Sequence, residues 1–253
     1  IIFDLEDAVA ADEKPAARDA LADWLRTADY GARARIVRIN DLASPWGAAD
    51  CAAFAGVAVE AVLIPKVNRP ADVEAVARLV PDVPLWAMME TPLAMLNAAA
   101  IAAHPRLAGM VMGTNDLAKD IGARFRADRL PLVTGLGLCV LAAKAHGVVI
   151  VDGVYNAFRD ADGLAAECAQ GRDMGFDGKT LIHPDQVPVA NAAFAPSEAE
   201  LDLARRQIAA YEAAVAAGQG VAVVDGGIVE NLHVVTARAT LARAAAIAAL
   251  EAA

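Results

Sequence analysis

The chain has 253 residues, a formal net charge of −10 and a hydrophobic fraction of 57%. That length suits one large α/β domain, and the acidity argues against binding a nucleic-acid phosphate backbone. No run of about 18 uncharged apolar residues is present, so no membrane span is expected. The N-terminus lacks a basic segment and the three cysteines (Cys51, Cys139, Cys168) have no metal-type spacing, which points to a reduced, cytoplasmic setting.

The chain opens inside a strand, Ile1-Ile2-Phe3-Asp4-Leu5-Glu6-Asp7, and a helix to Leu25 follows, with Asp12 as its expected cap. Three acids (Asp4, Glu6, Asp7) at one strand end exceed what capping needs. One of them, with Asp7 as our candidate, can orient metal-bound waters. The second strand, Arg35–Asn40, ends in Arg38 and Asn40. Arg38 alternates with Val37 and Ile39 and so points to one face. A guanidinium facing a barrel interior needs an anionic partner: a substrate carboxylate held by the fork, or one of the N-terminal acids.

Ala61 to Lys66 reads as the third strand and Ala71 to Leu79 as its helix. Leu85–Met89 and Gly109–Met112 read as two more buried strands, joined by an Ala- and Leu-rich helix over Leu93–Ala103. Each is followed by a carboxylate, Glu90 and Asp116. In a parallel sheet both acids emerge at the C-terminal edge, where α/β folds place their chemistry. Two hard oxygen ligands there suit Mg²⁺; the plainer reading is a helix cap or a solvated loop acid. Gly113-Thr114-Asn115 offers backbone N–H groups before a helix, a candidate anion cradle for substrate.

Ile121 to Leu132 reads as a surface loop, followed by a helix from Gly135 to Ala145, a strand at Val148–Val151 ending in Asp152, a loop from Tyr155 to Asp162 and a helix over Gly163–Met174. Gly178 to Pro184 is the last strand. His183 within it reads as a packed strand-end residue, since no partnering nucleophile is visible. The strands count to seven, and a (β/α)8 barrel needs eight, so the first is expected upstream of residue 1. The expected division is an α/β barrel over residues 1–195 and an extension over 196–253, a lid or oligomer contact. In that extension Ser197 and Glu200 form a capping box, Asp225-Gly226 turns a hairpin, and a helix closes the chain.

Assembled, these residues resemble the citrate lyase β-subunit group of CoA-ester enzymes in the HpcH/HpaI aldolase superfamily, with malyl-CoA and citramalyl-CoA lyases and malyl-CoA thioesterases. The matching stretches are IIFDLEDAVAADEKPAAR, VRIN, LIPKV, METPLAMLN, GTNDLAKD, DGKTLIHPDQ and DGGIVENLH, in family order along nearly the whole chain. The resemblance implies a TIM-type barrel that forms homotrimers or hexamers, with a tail that can cover a neighbour's site. It implies Glu90 and Asp116 as Mg²⁺ ligands, Arg38 gripping the substrate carboxylate, and a CoA ester or 2-oxo acid as ligand. Two features depart from the family: an Arg-Ser strand with a Pro-Gly turn is missing, and Glu230 stands where an acid/base Asp is usual. The resemblance implies first a Mg²⁺-dependent carbon–carbon lyase yielding acetyl-CoA and a 2-oxo acid. The alternatives are a (3S)-malyl-CoA thioesterase, which the longer side chain of Glu230 makes more credible, and a non-catalytic subunit of a lyase complex.

Overall fold

The structure is a computed structural model that describes residues 1–251. It divides into two compact units, Ile1–Ala193 and Phe194–Ala253.

The first unit is built on seven parallel strands whose order in the sheet is their order in the chain: β1 Ile2–Asp4, β2 Ile36–Arg38, β3 Ala61–Ile64, β4 Leu85–Met89, β5 Leu107–Met112, β6 Val149–Asp152 and β7 Gly178–Lys179. Sequential parallel order requires a crossover after every strand, which is the (β/α) repeat of a TIM-type barrel. The crossovers carry helices α1 Lys14–Thr27, α2 Gly47–Phe54, α3 Pro70–Leu79, α4 Pro92–Leu96, α5 Ala98–Ala102, α6 Thr114–Asp120, α7 Leu130–His146 and α8 Ala161–Met174. After β7 comes α9, Gln186–Phe194. Alternation along the strands sorts their side chains into two faces. Ile2, Ile36, Ala61, Leu63, Trp86, Met88, Val111 and Val151 form one packed cluster on the inner face. The alternate residues Val37, Val62, Ala87, Met110 and Ile150 are fully buried.

Several helices depart from the sequence expectation for local reasons. Helices α2 and α9 are additional. The expected helix over Leu93–Ala103 is two short ones, broken at Asn97, whose side chain donates to the Asn68 carbonyl instead of solvent. Glu13, not Asp12, sits at the start of α1, without a side-chain cap; Lys14 instead turns back to donate to the carbonyls of Leu5 and Glu6. Helix α7 begins at Leu130, inside the expected loop, with Arg129 in a left-handed backbone (φ 50°) at its start and Pro131 in its first turn. The last strand is short because Gln186 Oε1 accepts the N–H groups of Ile182 and His183 and curls the chain away.

The second unit consists of α10 Glu198–Ala216, a hairpin of β8 Ala222–Val224 and β9 Gly227–Val229, and α11 Asn231–Glu251. Ser197 and Glu200 form the capping box of α10. Asp225 (φ 52°) and Gly226 (φ 78°) make the left-handed two-residue turn that matches strand twist. Ala214, Ala222, Val229 and Val234 form its small core.

Candidate active site

The inner-face rows of the sheet run upward into charge. On β1 Ile2 is followed on the same face by Asp4; on β2 Ile36 is followed by Arg38; beyond β4 the row Trp86, Met88 continues to Glu90. Asp4 and Arg38 are register partners across the β1–β2 ladder. Arg38 donates from Nε to Asp4 Oδ1 at 2.7 Å and from Nη2 to Asp4 Oδ2 at 2.6 Å. Its Nη1 lies 3.0 Å from Glu6 Oε2 and 3.7 Å from Asp7 Oδ2. Burial works against the Arg38 charge, but Asp4, Glu6 and Asp7 outweigh it and raise its pKa, so it stays protonated. Burial alone would lift the Asp4 carboxyl; the hydrogen bonds and charge of Arg38, with N–H groups from Glu6 and Ala8, hold it below its ordinary value. Asp4 thus occupies the two-pronged face of Arg38, and Nη1 is shared between Glu6 and Asp7.

Glu90 is 2% exposed at the end of β4. Its Oε1 accepts the backbone N–H of Lys66 at 2.7 Å. Lys66 reaches that position in a left-handed conformation (φ 51°), a backbone state that costs on the order of 1–3 kcal/mol outside glycine. Its ammonium meanwhile stands 3.4 Å from Glu6 Oε1. Burial pushes the Glu90 carboxyl up to about 7, and the nearby negative charges of Asp116 and Glu6 add to the effect. Glu6 is raised as well, chiefly by burial, with Asp7 contributing.

Strand β5 ends at Met112, paired with Met89, and Gly113 donates its N–H to the Met89 carbonyl. A side chain at position 113 would overlap Glu90 Cβ and come within 2.6 Å of Oε2, so glycine is required for β5 to pass the carboxylate. Helix α6 starts immediately after and places Asp116 in its first turn. Asp4, Asp7, Arg38, Glu90, Gly113, Thr114, Asn115 and Asp116 line one cavity of about 330 Å³, floored by Leu63, Met88 and Val111. The sequence-derived residues of the first unit therefore meet at one edge. Glu230 belongs to the second unit, where it is exposed and its N–H donates to His233 Nδ1. His183 is half-buried, its ring stacked on Phe158 and its Nδ1 accepting from the Asp185 N–H.

Sequence reasoning missed three contributors. The Lys66 N–H is invisible in a residue pattern, because it acts through its backbone. Asn156, which exchanges side-chain hydrogen bonds with Asn115 at 2.8 and 3.2 Å, sits in what reads as plain loop. Thr180 reaches the cavity because its N–H and hydroxyl both donate to the Asp152 carbonyl, extending β7 by one residue.

The donor set suits a hard divalent cation. Five carboxyls (Asp4, Glu6, Asp7, Glu90, Asp116) face two cations (Arg38, Lys66), an excess of three negative charges when all are ionised. Glu90 spends one oxygen on Lys66 and keeps the other at the Gly113 cradle. No cluster of three or more His, Cys, Asp or Glu in ion-holding geometry occurs among the described residues. Two carboxylates completed by substrate and water are what Mg²⁺ commonly takes.

Residues 1–184 match the HpcH/HpaI aldolase/citrate lyase family. A (3S)-malyl-CoA thioesterase of Cereibacter sphaeroides is 71% identical over 98% of this chain and 87% of its own length. The citrate lyase subunit beta of Leuconostoc mesenteroides is 32% identical over 94% of this chain and 83% of its own. Among solved structures, protein CitE of Mycobacterium tuberculosis in complex with magnesium, acetoacetate and coenzyme A superposes with a TM-score of 0.83 at 35% identity, covering 96% of this chain and 89% of that one.

Proposed function

The chain belongs to the HpcH/HpaI aldolase/citrate lyase family, and from that premise we propose that it hydrolyses the thioester of a malyl-CoA-type substrate with Mg²⁺ held by Glu90 and Asp116. The observation that supports this reading most is the gathering of both carboxylates and Arg38 around one cavity at the C-terminal edge of the sheet. The choice of hydrolysis over carbon–carbon cleavage rests on likeness. Relatives near 70% identity are thioesterases, whereas the citrate lyase β and malyl-CoA lyase relatives stand at 32–33%. This reverses the order in which the family resemblance of the sequence ranks the two reactions.

Bound there, Mg²⁺ supplies Lewis-acid polarisation of substrate oxygens and neutralises charge that the cavity holds in excess. Arg38, its guanidinium fixed from behind by Asp4, meets the substrate carboxylate through Nη1, which exchanges its contacts with Glu6 and Asp7 for the incoming anion. Asp7, exposed at the cavity wall, accepts a proton from the attacking water. The water oxygen bonds to the thioester carbonyl carbon, the carbon–sulfur bond breaks, and the departing thiolate takes up a proton. Glu230 enters as a second acid or base on the strength of the resemblance alone.

The test is thiol release from malyl-CoA by the purified chain. Release that requires Mg²⁺, stops on chelation and returns on adding the metal back is the expected result. No release with Mg²⁺ present overturns the reading.

A further inference from the structure

Gln186, the first residue of α9, is 1% exposed, and its side chain joins two loops. Its Oε1 accepts the N–H of Ile182 at 2.9 Å and of His183 at 3.3 Å, in the loop after β7. Its Nε2 donates to the Tyr155 carbonyl at 2.9 Å, in the loop after β6. Both loops wall the carboxylate cavity, one through Thr180, Leu181 and Ile182 and the other through Val154 and Asn156. Gln186 stands behind these lining residues. Removing its amide would leave partly buried backbone groups of both loops without their partners.

The tie continues toward the metal-ligand turn. Asn156 follows Tyr155 directly and exchanges amide hydrogen bonds with Asn115, which precedes Asp116 in the first turn of α6. Exposed amides gain little from one another, because water competes for both partners. This pair meets because each amide is delivered by a held backbone: Asn115 by α6, and Asn156 by the Tyr155 peptide that Gln186 grips. Gly153 supplies a second join between the same loop and helix. A Cβ there would come within 2.4 Å of Thr114 Oγ1, so glycine lets the loop rest on the start of α6.

We propose that Gln186 is a positioning residue: it locks the loops after β6 and β7 into one wall and, through the Asn156–Asn115 pair, fixes the turn that carries Asp116. Its consequence for metal binding rests on the reading of Asp116 as a Mg²⁺ ligand; the tie between the loops does not.

Two measurements on the full chain test this. The first is amide hydrogen exchange without metal. Gln186→Met keeps the bulk and removes all three hydrogen bonds. Gln186→Glu keeps the acceptor for Ile182 and His183 and replaces only the donor to Tyr155, so it remains informative if Gln186→Met fails to fold. In both variants exchange should quicken about tenfold at Phe158 and Leu117, whose N–H groups close on the Asn156 and Gly113 carbonyls. Quickening confined to Ile182, His183 and α9 overturns the proposal, because Gln186 would then serve only the start of that helix. The second measurement is Mg²⁺ affinity by calorimetry, which a purely stabilising role would not move. It should fall about tenfold in each variant, the low end for partners that stand behind a metal ligand. Asn156→Ala should lose a similar amount, and a double variant no more than the larger single, since both break one chain of contacts. Unchanged affinity in the folded variants, or losses that add, overturns the proposal. Wild-type protein that binds no Mg²⁺ refutes the metal reading instead, and the exchange result then decides the tie by itself.

Discussion

Asp4 and Arg38 are register partners on neighbouring strands, and the carboxylate closes on both prongs of the guanidinium at 2.6 and 2.7 Å. A planar fork set by two backbones leaves Arg38 one orientation, with Nη1 turned toward Glu6 and Asp7. Arg38→Lys keeps the charge and loses the fork, so KM for the malyl ester should rise about tenfold, roughly 1.4 kcal/mol within the range for charged hydrogen bonds. An unchanged KM would mean that Arg38 only braces the strands.

The same pair sets an acid limit. The Asp4 pKa lies below its ordinary value of 3.8, so the pair contributes stability that is present above that value and lost as pH falls through the folded-state pKa. Asp4→Asn should flatten the decline in unfolding free energy measured by urea melts below about pH 4. An identical pH slope in the variant would contradict the pairing.

Gly113 is where β5 passes Glu90. Gly113→Ala should cost about 1–3 kcal/mol of stability through overpacking and displace the carboxylate, weakening Mg²⁺ binding by calorimetry. Full metal affinity in a folded variant would show that Glu90 is not held there.

Protons should compete with Mg²⁺ for Glu90. Its carboxyl titrates near 7 before metal binds, because burial and the Asp116 charge favour the protonated form. Ionisation is therefore incomplete below that pH, and Mg²⁺ affinity should fall steadily from pH 8 to pH 6. A pH-independent affinity across that interval would remove Glu90 from the ligand set.

Cys51, Cys139 and Cys168 are all fully buried, and burial pushes the thiols of Cys51 and Cys139 up to about 11 and 12. At pH 8 the folded protein should leave a chromogenic disulfide unreacted, and three thiols should react in denaturant. A fast-reacting thiol in the native protein would contradict this burial.

What the sequence carried was periodicity and strand-end chemistry. Six of the seven strands lie inside apolar runs with clear edges, and Glu90, Asp116 and Arg38 each end or follow one. Alternation then placed Arg38 on one face, and strand ends placed Glu90 and Asp116 at one edge. What stayed hidden depends on three-dimensional accommodation. The left-handed Lys66 and Arg129 follow no residue preference; the backbone N–H of Lys66 meets the distant Glu90 carboxylate, and the Arg129 backbone N–H closes on the Arg126 carbonyl. Asn97 likewise breaks a helix of good helix formers only because Asn68 lies within reach. The fork on Arg38 is the clearest example: the sequence left a substrate carboxylate and one of the N-terminal acids as equal partners, and register gives the fork to Asp4.

The most direct measurement of the thioesterase account is product analysis of malyl-CoA turnover with Mg²⁺ in ¹⁸O-labelled water. Hydrolysis predicts free CoA and malate in equal amounts, with one labelled oxygen in the malate carboxyl that came from the thioester. Acetyl-CoA and glyoxylate in place of malate and CoA would contradict it.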